Sequence, residues 1–204
     1  MDVERYNMGF TTGGLLLRES VRVGALFRDL GDWDAVRAQV LQDNLLQTRK
    51  ASSAKRLARE VVFRLRQLGR EELDLLDSAG VQDQVSLVWI AICRRFAFIA
   101  DFMAEVVRER YLALRNDLAY PDFDAFLEAK SGQHLELAEI SPSTKAKLRQ
   151  ILFRMLREAH LLSNDNQILT PTLSPELATL LLAKRAAEAR YFPIAERDLR
   201  SLAK

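Results

Sequence analysis

Cysteine is nearly missing from this 204-residue chain: Cys93 stands alone. One thiol forms no intramolecular disulfide and offers no cysteine-based metal site. Histidine is almost as scarce. His134 and His160 are the only two, and neither has a partner at metal-ligand spacing, so no metal or other cofactor is expected. His160 falls at the C-terminal end of a predicted helix, where closing that helix is its default role. The eight glycines build no Gly-x-Ser-x-Gly, Walker or dinucleotide fingerprint. Gly13-Gly14 lacks a preceding strand and a following Gly-Lys-Ser/Thr, and reads as a helix start. Asp122 with Asp124, and Glu71 with Glu72, read as helix N-terminal acids instead of catalytic pairs. No catalytic residue is assigned, and a non-enzymatic protein is expected.

Long apolar runs are absent too. Val85 to Cys93 is the most apolar stretch, far short of the roughly 18–20 residues that span a bilayer, and Arg94-Arg95 ends it. Extending it through Met103 would bury that arginine pair in lipid. No membrane association is expected, and with no secretory signal the expected compartment is the reducing cytoplasm. A large net charge is also lacking: 30 Lys+Arg against 28 Asp+Glu leave +2, so total charge points to no partner. Its distribution does.

Gln47 to Leu68 carries Arg49, Lys50, Lys55, Arg56, Arg59, Arg64 and Arg66 against one acid, Glu60. Ala54, Leu57, Ala58, Val61, Leu65 and Leu68 recur at i, i+3, i+4, i+7, which predicts a helix burying that stripe. Lys55, Arg59 and Arg66 gather on another side, beside Arg56. Ser52 and Ser53 are candidate N-caps. Four cations therefore crowd a helix start that is already the positive end of the macrodipole. Each costs an isolated helix roughly 0.3–1 kcal/mol. A phosphate seated there would remove the conflict. The alternative is a solvated basic face.

The remaining chain reads as helices. Leu15 to Leu30 is amphipathic and stops at Gly31, and Asp32 caps a helix through Leu45. A turn of about five residues, without glycine, leads into the basic helix, the order of a helix-turn-helix. Gly69 precedes a short acidic helix. Gln82–Arg94 and Phe96–Leu114 form one bent helix or two abutting ones, with aromatics at core spacing. Pro121-Asp122 opens a helix that ends near Ser131-Gly132. Ser141-Pro142 opens a second basic helix, where Ser143 is an alternative cap. Leu161-Leu162, a polar Ser163–Asn166 turn and Gln167–Thr170 predict a small β-hairpin. Ser174-Pro175 starts a last helix reaching about Arg190, and Met1 to Gly9 reads as frayed.

The two basic helices resemble each other at an offset of 90: Ser53 falls on Ser143, Lys55 on Lys145, Arg59 on Arg149 and Arg64 on Arg154. The same anomaly, cations at a helix start beside serines, occurs twice. Acidic residues lie elsewhere, in Glu71–Asp77 and Asp122–Glu139.

The runs NMGFTTGGLLLRES, DWDAVRAQVLQDNLLQTRKASSAKRLAREV, WIAICRRFAFIADF and LRQILFRMLREAHLL together resemble the BrxA family, from about Asn7 to Ala189. This is a small component of bacterial BREX (bacteriophage exclusion) defence operons. The resemblance implies an all-helical, non-enzymatic protein with helix-turn-helix character, similar to the antitermination factor NusB and binding duplex DNA.

The expectation is an all-α, mainly helical bundle with helix-turn-helix character and a small C-terminal β-hairpin wing. Residues 10–80 would form a helix-turn-helix-like region, 81–132 a central helical core and 133–204 a winged-helix-like region, or all three one compact unit. Double-stranded DNA is the expected partner, with other BREX proteins beside it. Phosphate contacts would come from Arg49, Lys50, Ser52, Ser53, Lys55, Arg56, Arg59 and Arg66, and secondarily from Ser143, Lys145, Lys147 and Arg149. Asn164 and Asn166 would reach the backbone or a minor groove from the wing. Two alternatives stand beside this: an RNA-binding antitermination-like module, and an assembly adaptor that uses the acidic faces.

Overall fold

Apolar spacing at helical period becomes helix almost throughout. A computed structural model describes residues 5–204, apart from the side chains of residues 184 and 185. The described chain is all-α and divides into two compact units, one of residues 15–95 and one of residues 5–14 with 96–204.

In residues 15–95 the helices are α1 (Leu17–Leu30), α2 (Trp33–Gln42), α3 (Ala51–Leu65), α4 (Arg70–Ser78) and α5 (Val81–Arg95). Gly31 closes α1 at φ 67°, a left-handed conformation that glycine takes without a Cβ clash, and donates its N–H to the Phe27 carbonyl at 2.7 Å. Asp32 caps α2 by accepting from the Ala35 N–H at 2.7 Å. Phe27 stacks on Trp33 with ring centroids 3.8 Å apart, fastening α1 to α2. At the centre is α5, where Val85 and every residue from Leu87 to Cys93 are buried. A helix apolar on all sides needs such surroundings. Arg94 anchors its end with a bidentate pair to Glu72 at 2.6 and 2.5 Å and a bond to the Gln67 carbonyl at 2.8 Å. Glu72 also accepts from the Gly69 N–H at 2.7 Å, so the acidic start of α4 is tied into its own unit.

In the second unit Phe96 leaves helical geometry (φ −126°, ψ 88°), so the apolar stretch is two helices interrupted at Phe96 and not one bent one. There follow α6 (Ala97–Phe102), a π-helical turn (Met103–Val107), α7 (Arg108–Leu112), α8 (Tyr120–Ser131), α9 (Leu135–Ala138), α10 (Pro142–Glu158), α11 (Pro175–Arg185), a 3-10 segment (Ala186–Tyr191) and α12 (Glu196–Leu202). Phe98, Phe102, Phe123 and Phe126 interlock at 5.2–6.0 Å, mostly edge to face, so these aromatics are core packing.

The expected frayed start and hairpin wing are corrected by this unit. Residues 1–4 lie outside the described residues, but Tyr6 is docked. Its N–H reaches Glu136 at 2.7 Å, its hydroxyl donates to Asp101 at 2.6 Å, and its ring stacks on His134 at 4.1 Å. Burial, then the Asp101 carboxylate, push the Tyr6 phenol above its ordinary pKa. Burial also raises the Glu136 carboxyl, but hydrogen bonds from its own N–H, Tyr6 and His134 outweigh this and hold it below the usual range. The hairpin shrinks to single bridges, Leu162 with Ile168 and Asp117 with Gln167, with no strand among the described residues. Its apolar residues Leu161, Leu162 and Ile168 are buried, and Ile168 donates to the Asn116 carbonyl at 2.6 Å. The segment is therefore packed into its unit, where a wing would project. The helix begun by Ser174-Pro175 stays α-helical only to Arg185 and then tightens to 3-10 geometry, and α9 and α12 are short helices that the sequence reading passed over.

Candidate nucleic-acid interface

The first basic helix is built as its periodicity demands. Ala58, Val61, Val62, Leu65 and Leu68 are buried, and the opposite side carries Ser52, Lys55, Arg56 and Arg59 at i, i+3, i+4, i+7. That side faces α2, where Arg37 and Leu41 sit one turn apart. These six residues line a groove of about 590 Å³. Arg37, Lys55, Arg56 and Arg59 are all exposed, as are Arg49 and Lys50 just ahead of the helix. Among the described residues none of these six cations makes an ion pair.

The reason lies in where the local acids go. Glu60, the sole acid in the basic stretch, is taken by Arg64 at 2.7 Å. Arg64 is fully buried and also donates to the Leu15 carbonyl at 3.2 Å. It is a core residue despite its charge, held by partners as a buried cation must be. Asp34 lies 3.7 Å from Arg66, so Arg66 is the one proposed contact in this helix with a carboxylate beside it.

The helix start differs from the serine-capped expectation. Lys50 is the N-cap residue and supplies no side-chain acceptor, while Ser52 and Ser53 lie within the first turn. The glycine-free turn before it is made by Asn44 and Gln47 at φ 45° and 51°. Asn44 tolerates this conformation and its side chain accepts from the Thr48 N–H at 3.1 Å. Gln47 bears a cost of about 1–2 kcal/mol for it.

The second basic helix has another fate. Ser141 caps α10, accepting from the Thr144 N–H at 3.3 Å, which leaves Ser143 inside the first turn. Arg149 pairs with Asp124 and lies over the Tyr120 ring at 4.7 Å. Arg154 pairs with Glu158 at 2.7 Å. Arg157 donates to the Asn166 side chain at 2.6 Å, so Asn166 is engaged within its unit, while Asn164 is exposed. Among the described residues Lys145, Lys147 and Arg157 of the cations in α10 make no ion pair, and of these only Arg157 has another side-chain partner, Asn166. Sequence reasoning missed Arg37. Its spacing of four from Leu41 was the available signal, hidden because Arg37 stands isolated in the sequence between Asp34 and Asp43.

The BrxA family model matches residues 4–185, nearly the whole chain. The chain belongs to the BrxA family. Three curated BREX proteins named BrxA resemble it at 27% identity. The relative from Escherichia coli O9:H4 aligns over 72% of this chain and 69% of its own length, that from Bacillus cereus over 74% and 76%, and that from Paramagnetospirillum magneticum over 76% and 77%. A solved structure of an uncharacterized protein from Magnetospirillum magneticum matches with a TM-score of 0.79 at 24% identity, covering 92% of this chain and 97% of that one. At that identity it speaks for the fold alone. BrxA membership supports an accessory role in phage defence. Among the described residues no helix is long and apolar enough to cross a membrane.

Proposed function

We propose that this chain is a non-enzymatic, cytoplasmic accessory protein of a BREX system that holds duplex DNA by its phosphates. In this reading α2, the Asp43–Lys50 turn and α3 act as a helix-turn-helix, and the groove between the two helices seats one strand's backbone. The observation that carries it is the cluster Arg37, Lys55, Arg56 and Arg59, exposed and without a carboxylate partner among the described residues. Arg49 and Lys50 extend the contact beyond the groove, Ser52 and Ser53 add hydroxyls and first-turn N–H groups, and Arg66 reaches the next phosphate if it leaves Asp34. From α10, Ser143, Lys145, Lys147 and Arg149 contribute less, because Arg149 must first give up Asp124. Asn164 and Asn166 remain minor backbone contacts. No side chain is assigned to a base edge, so weak sequence preference is expected.

The assembly-adaptor alternative is disfavoured by the acidic stretches. Glu72, Asp77, Asp122, Asp124 and Glu136 already serve Arg94, Arg28, Arg110, Arg149 and Tyr6. A mobility-shift titration across several salt concentrations tests the proposal. About five neutralised phosphates give a log–log slope near −4.5, and a flat salt response refutes it. Excess structured RNA as competitor decides between DNA and RNA: if it displaces the duplex at lower concentration than unlabelled duplex does, the antitermination-like reading takes its place.

A further inference from the structure

The groove is more concave and more densely charged than a flat phosphate contact requires. At 1.5 Å per residue, Ser52 to Arg59 spans roughly 10 Å along α3. One strand of a duplex places only about three charges along that length, at one per 3.4 Å of axis. The groove offers four cations over the same span, with no carboxylate in its lining. A triphosphate group packs about four negative charges into a shorter length, since a terminal phosphate ionises a second time near pH 6. The groove volume, about 590 Å³, lies in the range of small-molecule sites. Leu41 supplies an apolar wall among the cations, a surface on which a base or ribose would lie and a bare phosphate chain would not.

We infer that this groove binds the triphosphate group of a free nucleotide, with Arg37 closing on it from α2, and Lys55, Arg56 and Arg59 from α3. A nucleoside triphosphate then competes with duplex DNA, which makes nucleotide level a control on occupancy of the DNA site. The inference shares with the duplex reading the premise that these side chains meet phosphate. It does not require the duplex to bind.

The test is calorimetry on the full chain at low salt with magnesium-free ATP, inorganic tripolyphosphate and orthophosphate, matched in ionic strength. Saturable binding of one ATP per chain is expected, with orthophosphate at least about tenfold weaker. Arg37→Ala and Arg59→Ala should each weaken ATP by about tenfold, whereas Arg70→Ala, at the start of α4 and outside the groove lining, should leave it unchanged. All three positions are exposed, and circular dichroism checks that the variants fold. ATP binding tighter than tripolyphosphate, with the difference lost in Leu41→Ser, identifies a nucleotide. Equal affinities identify the phosphate chain alone as the ligand and overturn the role of Leu41. Absence of saturable heat, or binding indifferent to Arg37 and Arg59, overturns the inference entirely. Duplex titrations of the same preparations keep the two readings apart. Duplex bound without ATP sinks only this inference, and ATP bound without duplex sinks only the proposed function.

Discussion

Two helices of this chain look like copies in sequence and behave differently in the fold. Both α3 and α10 begin among serines and carry Lys and Arg at matching positions. In α10, Ser141 caps the start, and Arg149, Arg154 and Arg157 are engaged by Asp124, Glu158 and Asn166. In α3 the start lacks a side-chain cap, and the helix's own acid, Glu60, serves the buried Arg64. The cations at Lys55, Arg56 and Arg59 are left exposed. Basic composition therefore says little until the destination of every carboxylate is known. A cation with an internal partner must lose it before meeting an external phosphate, and α10 carries that cost where α3 does not.

The contrast is open to direct attack. The largest expected effect on binding is on α3: Lys55→Glu with Arg59→Glu should weaken duplex binding by roughly a hundredfold and reduce the salt slope by about 2. Thermal stability should hold, because both side chains are exposed. Equal loss of affinity from the double change Lys145→Glu with Lys147→Glu in α10 would erase the difference between the helices. Next, Arg64→Ala should destabilise by about 3–5 kcal/mol by leaving Glu60 without its buried partner. A denaturant midpoint that does not move would remove the explanation for why the α3 surface lacks acids. Smaller still, Arg149→Ala should lower stability by about 0.2–1 kcal/mol, the range of an exposed pair, and change duplex affinity less than twofold. A salt-dependent affinity loss in this variant would make Arg149 a contact like those of α3.

The smallest expected effect is on pH dependence and stays within the unit that holds α10. Glu136 has its carboxyl held below the usual range in the fold. Its contribution is thus complete above the ordinary carboxylate pKa and fades as the pH falls through the lowered folded value. Glu136→Gln should flatten the acid limb of a melting-temperature profile while leaving the α3 cations able to bind. An unchanged acid limb would show that the Tyr6 anchor owes nothing to this charge.

Much of the helical pattern was legible because apolar periodicity is a local signal. Gly31, Asp32 and the Ser141-Pro142 start act through bonds spanning a few residues, and each stands where the sequence puts it. Ser52 and Ser53 suit an N-cap chemically, but the chain enters α3 earlier, at Lys50. Leu161, Leu162 and Ile168 have strand chemistry, which predicts a wing, yet they are buried. What they do depends on Asn116–Leu118, some fifty residues away, which pairs with Asn166–Ile168 and draws the segment inward. Arg37 was passed over for the same reason: its importance comes from facing α3 across a groove, and no spacing within α2 announces that.

The sequence by itself determined that this is a helical BrxA-family chain whose basic residues cluster, because helix periodicity, caps and family likeness are written in short segments. Only the tertiary structure decided which of those charges stay available. Ion pairing depends on a few ångströms that the fold sets, so Arg64 went into the core with Glu60, Arg149 went to Asp124, and Lys55, Arg56 and Arg59 remained facing Arg37 across the groove.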